Sequence, residues 1–223
     1  MPDNTLVIIP AYNASRTITE LTEQLAKHVD KADILVVDDG AADNTGELAM
    51  QAGVTVLAHA TNRGKGAALK TGFMHAIDNG YNAVLTIDAD LQHDPGCVPG
   101  FLEMGASGKY DIIIGTRERT DKMPVFRVFA NFTGSVIISL FSGARIRDSQ
   151  SGYRWISIDV IKCLRLECDR YDLESEILLG VGRIGGSIGE ISIPTIYGEQ
   201  ESFINPIVDA ARAVKLLWRS LFW

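Results

Sequence analysis

Short apolar runs alternate with amphipathic stretches along the first half of the chain. The runs are rich in valine and isoleucine, which predicts strands buried on both faces of a sheet. They cover residues 6–9, 34–37, 54–57, 83–87 and 112–114. Helices are predicted at about residues 15–29, 43–53 and 66–79, with Ser15 and either Asp43 or Asn44 as N-terminal caps. The alternation predicts a Rossmann-like α/β fold, a mostly parallel sheet flanked by helices, which binds ligands beyond the carboxyl ends of its strands.

The order of predicted elements changes after about Gly115. A helical stretch at about residues 124–142, a polar turn at 147–152 and helices at 158–164 and 173–181 follow. Residues 188–196 alternate as a late strand, and Pro206 begins a final helix that reaches Trp223. We therefore expect one domain over residues 1–204 and a C-terminal amphipathic helix over 205–223.

Charge and composition narrow the class of protein. A net charge of −7 and a pI near 5.1 argue against nucleic acid as a partner, since its phosphates require a basic surface. The three cysteines are not at metal-binding spacings, and the N-terminus lacks the basic start of a secretory signal, which favours a cytoplasmic location. The weakly charged stretch 128–144 is too short and too polar to predict a transmembrane helix.

Asp88 and Asp90 directly follow the fourth predicted strand. Because alternate side chains of a strand point the same way, both carboxylates can converge, while Ala89 leaves room between them. Gln92 and His93 follow at once. Oxygen ligands without cysteine favour Mg²⁺ or Mn²⁺, which complete their coordination with substrate phosphates and water. A solvated turn at the end of a strand is the alternative interpretation.

The first two predicted strands end in residues that suit a nucleoside. Tyr12 and Asn13 follow the first strand, and Asp38 and Asp39 end the second. An aromatic ring can pack on a base, while a carboxylate accepts hydrogen bonds from base N–H groups or ribose hydroxyls. Plain turn chemistry explains these residue types equally well.

Residues 62–66, with the sequence NRGKG, open the third predicted helix. Backbone N–H groups and Lys65 could bind a phosphate there, aided by the helix dipole. A capped surface turn remains the alternative. The P-loop and classical dinucleotide-binding patterns are both absent, which disfavours those two classes.

Three arginines follow the fifth predicted strand: Arg117, Arg119 and Arg127. Arg127 is the only charged residue within the apolar stretch 125–136. A guanidinium in such surroundings requires an anionic partner, either a phosphate held by two hydrogen bonds or a carboxylate of the chain.

Acidic residues are concentrated further along the chain. Asp148 begins a segment, residues 148–154, that combines acid, amide, hydroxyl, aromatic and basic groups as binding sites often do. Asp172, Glu174 and Glu176 are spaced so that one of them can face a cleft, although acidic residues are also common in the first turn of any helix.

The predicted final helix combines cations with aromatic residues. Arg212, Lys215 and Arg219 recur at three- and four-residue spacing, and Trp218 and Trp223 supply apolar bulk. That pattern favours a helix lying at a membrane surface, with aromatic rings at headgroup depth and cations towards anionic lipid. A helix docked on the protein itself is the alternative.

Taken together, these segments resemble the family 2 glycosyltransferases of GT-A fold, especially the polyprenyl-phosphate hexose transferases such as the dolichyl-phosphate mannose synthases. The resemblance covers nearly the whole chain and rests on IIPAYN at 8–13, VVDDG at 36–40, NRGKG at 62–66, DADLQHDP at 88–95 and SQSGYR at 149–154. It implies that Pro10, Tyr12 and Asp39 contact the nucleoside, that Asp88, Asp90 and Gln92 surround the metal, and that Arg117 and Arg127 receive the acceptor phosphate. Asn13, Lys65 and Ala89 are further candidate residues of the donor site.

The chain departs from the family pattern at three places. Ala14 stands where an acidic residue often follows the tyrosine. The segment YGEQESF at 197–203 lacks the basic residues that dolichyl-type relatives carry for the donor diphosphate. Gln150 and the Arg154-Trp155 pair lie one residue too far apart for the motif of processive polysaccharide synthases, which disfavours chain elongation.

The resemblance predicts a metal-dependent inverting glycosyltransferase. It would move a hexose from a GDP- or UDP-sugar to a polyprenyl phosphate at the cytoplasmic face of the membrane, as a peripheral protein with or without a membrane partner subunit. A phosphate acceptor is already anionic and needs no strong base, whereas a saccharide hydroxyl would require a carboxylate such as Asp148, Asp172 or Glu174 to accept a proton. A glycosyltransferase acting on such a hydroxyl and a non-catalytic nucleotide-sugar-binding subunit remain the alternatives.

Overall fold

The structure is a computed structural model and describes residues 4–117, 139, 146–194 and 196. The strands are β1 Thr5–Ala11, β2 Ile34–Asp38, β3 Thr55–Ala58, β4 Ala83–Thr86, β5 Ile112–Arg117, β6 Arg154–Ser157 and β7 Ile188–Ile193. The helices are α1 Ile18–Leu25, α2 Thr45–Gln51, α3 Lys65–Asp78, α4 Val98–Ala106, α5 Ile158–Cys163 and α6 Asp172–Arg183. Single 3-10 turns lie at Lys31–Asp33 and Pro95–Cys97.

The described strands form a 7-stranded sheet in the order β3-β2-β1-β4-β6-β5-β7. Neighbouring strands are parallel, except that β6 runs antiparallel to both β4 and β5. Arg154, the first residue of β6, pairs with Thr86, the last residue of β4. The segment that precedes β6 therefore lies at the carboxyl edge of the parallel strands, beside the residues that follow β4.

The core lies on both faces of the sheet because successive strand side chains point to opposite sides. On one face, Ile8 of β1 packs in the same cluster as Phe73 of α3 and Ile177 of α6. On the other face, Ile9 of β1 packs in the same cluster as Leu21 of α1. Helices thus cover the sheet on both sides and leave its edges to the loops.

The predicted α/β fold, a mostly parallel sheet flanked by helices, is confirmed. Two details were wrong: β3 is a partly exposed edge strand rather than one buried on both faces, and α1 covers only Ile18–Leu25 of the predicted 15–29, so that Thr17 and not Ser15 is at its N-cap. Two elements were not anticipated. One is strand β6, which follows the predicted polar turn. The other is helix α4, which contains Pro99 in its first turn, where a helix does not need the missing N–H group.

Several predictions of secondary structure lie outside the described residues, namely the helix at 124–142 and the C-terminal helix. In the part of the chain that the structure describes, the helices are too short or too polar for a membrane span.

Close packing between α3 and β1 depends on Gly72. A Cβ atom there would lie 2.7 Å from Ile8 Cγ2 and 2.9 Å from Ile8 Cδ1. We expect Gly72→Ala to destabilise the protein, because overpacking typically costs about 1–3 kcal/mol and exceeds the gain in helix propensity of about 1 kcal/mol. Ile8→Ala alone should cost about 2–5 kcal/mol. Urea unfolding of the double variant should show a loss smaller than the sum, by about 1 kcal/mol or more.

The matched control is Met74→Ala, which changes an exposed position of the same helix. Its free energy of unfolding should stay within about 0.5 kcal/mol of the parent value. Strict additivity of Gly72→Ala and Ile8→Ala would show that this contact does not limit the packing of α3.

Candidate active site

The carboxylate of Asp39, which directly follows β2, binds the loop that opens α3. The N–H group of Arg63 donates to Oδ1 at 2.9 Å, and that of Gly64 donates to Oδ2 at 2.7 Å. His59 Nδ1 lies 2.7 Å from Oδ1, and its Nε2 lies 2.9 Å from the hydroxyl of Thr71. Asp39 is only 2% exposed. It therefore fixes the NRGKG loop at the sheet edge, and three of its acceptor positions are already used within the chain.

The turn after β1 leaves the ring of Tyr12 at the surface, 47% exposed. Asn13 has a φ of 52° and its Oδ1 accepts a hydrogen bond from the N–H of Ala42 at 2.9 Å. The N–H of Ala14 donates to the hydroxyl of Thr45 at 2.8 Å. These bonds hold the turn that follows β1 against the start of α2. Pro10 lies inside β1, paired with Val37 of β2.

Lys65, the first residue of α3, lies between two carboxylates. Its Nζ is 2.5 Å from Asp88 Oδ1 and 2.8 Å from Glu174 Oε1. Burial alone would lower the pKa of Lys65, but the charges of Asp88 and Glu174 outweigh it and raise the pKa. Burial would likewise raise the pKa of Asp88, and the Lys65 charge brings it below its usual value. Lys65 and Asp88 therefore remain ionised at neutral pH.

Asp90 lies in the turn that follows Asp88, in which the next residue, Leu91, has a φ of 59°. Burial and then the negative charge of Asp88 raise the pKa of Asp90. Gln92 contributes its backbone N–H, which donates to Asp90 Oδ1 at 3.0 Å. The carbonyl of Ala89 accepts a hydrogen bond from the Thr17 hydroxyl at 2.5 Å, which anchors the turn to the chain just before α1.

The Asp88 and Asp90 pair fits a hard divalent cation that brings other ligands with it. Carboxylate oxygens are what Mg²⁺ and Mn²⁺ prefer, and a cation between Asp88 and Asp90 would offset the repulsion between the two carboxylates, which adds to burial in raising the Asp90 pKa. Among the described residues, His, Cys, Asp and Glu side chains do not form a preformed cage of three or more ligands. The remaining ligands would then come from phosphate and water.

Gly152 lies directly against Asp88. A Cβ atom at this position would lie 2.5 Å from Asp88 Oδ2, which explains why the residue is glycine. Its carbonyl accepts a hydrogen bond from the Thr86 hydroxyl at 2.8 Å. His93 is nearby, nearly fully buried, with Nε2 3.9 Å from Asp88 Oδ2, and burial lowers its pKa to about 4. The imidazole is therefore neutral at physiological pH.

Arg117 and Asp148 form an ion pair with two hydrogen bonds. Arg117 Nε donates to Asp148 Oδ2 at 2.7 Å and Nη2 donates to Oδ1 at 3.0 Å. Burial would raise the pKa of Asp148, but the hydrogen bonds and charge of Arg117 lower it. The structure thus pairs Arg117 with a carboxylate and makes Asp148 a weak base. The other two arginines of the predicted group, Arg119 and Arg127, lie outside the described residues.

The fully buried Arg154 holds the loop before β6 to helix α6. Its Nε donates to Ser151 O at 2.7 Å, Nη1 to Glu174 O at 2.6 Å and Nη2 to Ser149 O at 2.7 Å. Arg154 was predicted only to lie in a segment rich in functional groups, and its role in joining that loop to α6 was not predicted. Neither the Lys65–Glu174 pair nor these carbonyl contacts has a signal in the sequence, because they join distant segments.

Sequence comparison identifies the class of protein that this fold and site define. The profile of the family described as "Glycosyl transferase family 2" matches residues 6–165. The chain belongs to glycosyl transferase family 2 and is a glycosyltransferase.

Individual relatives support the same assignment. The chain is similar to the UDP-N-acetylglucosamine–dolichyl-phosphate N-acetylglucosaminyltransferase of Methanococcus voltae, with 31% identity over 86% of this chain and 86% of that protein. It is also similar to the undecaprenyl-phosphate mannosyltransferase of Micrococcus luteus, with 29% identity over 88% of this chain and 84% of that protein.

A solved structure shares the fold. It is the glucosyl-3-phosphoglycerate synthase of Mycobacterium tuberculosis in complex with Mn²⁺, UDP and phosphoglyceric acid. The TM-score is 0.80 at 18% identity, over 98% of this chain and 78% of that one.

The Arg117–Asp148 pair makes the stability of the protein depend on pH. Because folding lowers the pKa of Asp148, its contribution is present above the unfolded value of about 4 and is lost as the pH falls through the lower folded value. We expect Asp148→Asn to lower the free energy of unfolding by about 2–3 kcal/mol at pH 7 and by much less near pH 3. Urea unfolding at both pH values measures the difference.

Asp78→Asn, at an exposed position at the end of α3, serves as the control and should show no such pH-dependent penalty. An Asp148→Asn penalty of equal size at both pH values would contradict the ion-pair explanation.

Proposed function

We propose that this glycosyltransferase moves a hexose, with inversion, from a GDP- or UDP-sugar to a polyprenyl phosphate. The observation that carries the proposal is the pair Asp88 and Asp90 at the carboxyl edge, beside Lys65 and within one family 2 domain. We assign the catalytic domain to residues 1–204 and a membrane-surface helix to 205–223.

The acceptor is inferred from the relatives and from the charges of the site. The two named relatives carry dolichyl phosphate and undecaprenyl phosphate in their names, and both are polyprenyl phosphates. A phosphate needs cations to hold it rather than a base to deprotonate it, and Asp148 is a poor base because Arg117 lowers its pKa. These observations favour a phosphate over a saccharide hydroxyl.

Each residue of the site has a defined part in the proposed reaction. Asp88 and Asp90 would hold Mg²⁺ or Mn²⁺, with Gln92 beside them. The chemistry that such a cation supplies is stabilisation of the negative charge on the departing nucleoside diphosphate. Tyr12 would pack on the base of the donor, with Pro10, Asn13, Asp39 and Ala89 shaping that side of the site.

The acceptor side depends on arginine. Arg117, oriented by Asp148, and Arg127 would hold the acceptor phosphate in line with the anomeric carbon, which is a positioning role. The oxygen of the phosphate then attacks the sugar without first losing a proton. A second function, a nucleotide-sugar-binding subunit without activity, is disfavoured by the ionised Asp88 and the neighbouring Asp90.

A transfer assay tests the proposal. The full chain is incubated with Mn²⁺, with each of a panel of GDP- and UDP-sugars, and with either polyprenyl phosphate or a saccharide acceptor. We expect a lipid-linked sugar from at least one donor, and a loss of about 100-fold or more in Asp90→Asn because one charged ligand is removed. Asp159→Asn, at an exposed position of α5, is the matched control and should transfer normally.

Product formed only with saccharide acceptors would overturn the lipid assignment. Binding of the donor without transfer to any acceptor would favour the non-catalytic alternative. Full activity in Asp90→Asn would remove the proposed metal site.

Membrane attachment is assigned to the C-terminal segment 205–223. Replacing Trp218 and Trp223 together by serine should greatly reduce flotation with vesicles that contain anionic lipid, because interfacial tryptophans contribute most of the apolar contact. Ile184→Ser, which removes an exposed apolar side chain elsewhere, should leave flotation unchanged. Equal flotation of parent and double variant would assign membrane contact to another part of the chain or to a partner subunit.

A further inference from the structure

The ammonium of Lys65 is shared by two carboxylates that differ in their surroundings. Glu174 is the more deeply buried, with its side chain 8% exposed against 26% for Asp88. The backbone of Glu174 is also fixed, since its carbonyl accepts a hydrogen bond from Arg154. Lys65 therefore has one permanent partner inside the protein and one partner at the open edge of the site.

The Lys65 ammonium and a divalent cation would compete for Oδ1 of Asp88. The Lys65 Nζ lies at contact distance from Oδ1, so a divalent cation on that oxygen would face a like charge at close range. Moving the ammonium away from Asp88 leaves it bound to Glu174 and within the same pocket, where the ring of Tyr171 lies 5.8 Å away. A phosphate oxygen entering the pocket would replace the lost carboxylate contact.

We propose that Lys65 is a resident counter-ion that keeps Asp88 from a divalent cation until a nucleoside diphosphate draws the ammonium towards Glu174, so that cation and nucleotide bind cooperatively. The inference rests on the proposed role of Asp88 as a metal ligand. Glu174 is then a positioning residue, because it acts on the metal only through Lys65.

Cooperativity of this kind is reciprocal. If the nucleotide strengthens cation binding by a given factor, the cation strengthens nucleotide binding by the same factor. Direct coordination of the cation by the phosphates supplies one part of this coupling and Lys65 supplies the other, so removing the Lys65 side chain should reduce the coupling.

Binding of Mn²⁺ to the full chain tests the proposal without measuring transfer. Free Mn²⁺ is followed by its electron paramagnetic resonance signal, with and without UDP or GDP. For the parent protein we expect weak Mn²⁺ binding alone and binding about tenfold tighter, or more, with one of the nucleotides. For Lys65→Met we expect tighter Mn²⁺ binding in the absence of nucleotide and a smaller further gain on adding nucleotide than the parent shows, because only direct coordination by the phosphates remains.

Lys70→Met is the matched control. Lys70 lies on the same helix and its Nζ is 2.5 Å from Asp169 Oδ1, a pair that is more exposed and does not include Asp88. This variant should bind Mn²⁺ as the parent does, in both conditions. If Lys65→Met does not fold by circular dichroism, Lys65→Gln replaces it.

A double-variant cycle separates the proposed role of Glu174 from a general effect of charge. Glu174→Gln should weaken Mn²⁺ binding in the parent, because Lys65 is then held by Asp88 alone. In the Lys65→Met background the same change should have little effect, since the residue through which it acts is gone. An equal effect in both backgrounds would overturn the positioning role.

Two further results would overturn the inference. One is a folded Lys65→Met protein that binds Mn²⁺ as weakly as the parent or more weakly. The other is a parent protein whose Mn²⁺ affinity is the same with and without UDP or GDP. Unchanged Mn²⁺ binding in Asp88→Asn would overturn it together with the proposed metal site. If the expected binding pattern is found but no sugar reaches polyprenyl phosphate, the role of Lys65 stands and the acceptor assignment fails.

Discussion

Charge balance at the carboxyl edge of the sheet is the constraint on which this site depends. Asp88, Asp148 and Glu174 are drawn together in a region where water is largely excluded, and a buried carboxylate without a partner costs several kcal/mol. Lys65 and Arg117 supply the balancing charges at hydrogen-bond distance. The same ion pairs therefore allow the chain to fold and leave the edge charged. The carboxylates, with Asp90 beside them, outnumber these two cations, so a further cation can bind at the edge but must compete with Lys65 for Asp88.

The direction of β6 brings these groups to one place. Because this strand runs against its neighbours, the loop before it returns to the edge where β4 ends, and Gly152 comes to lie against Asp88. Arg154 then ties that loop to α6 through backbone carbonyls, which fixes Glu174 opposite Lys65. The buried guanidinium thus contributes to the geometry of the site without facing it.

The sequence could predict the parts of the site but only some of their relations. Alternation of apolar runs and helices was enough for the parallel strands and for the edge at which Asp88 and Asp90 lie. Strand β6 escaped prediction because it is short and its partners on both sides decide its direction. The partners of Lys65 and Arg117 were not predicted either. A sequence shows that a buried cation needs an anion, but which carboxylate it pairs with depends on how distant segments pack. Arg127 and the C-terminal helix remain predictions, since they lie outside the described residues.

The ion pairs and pKa shifts of the carboxylates bear on which kind of acceptor the enzyme can use. Asp148 has both oxygens on Arg117 and a lowered pKa, and the Asp88 and Glu174 side chains both bind Lys65. Asp90 has a raised pKa and could take a proton, but a cation held between it and Asp88 would remove that capacity by favouring the ionised form. Of the candidate bases Asp148, Asp172 and Glu174, the first and the last are paired with cations, which favours an acceptor that is already ionised over a hydroxyl.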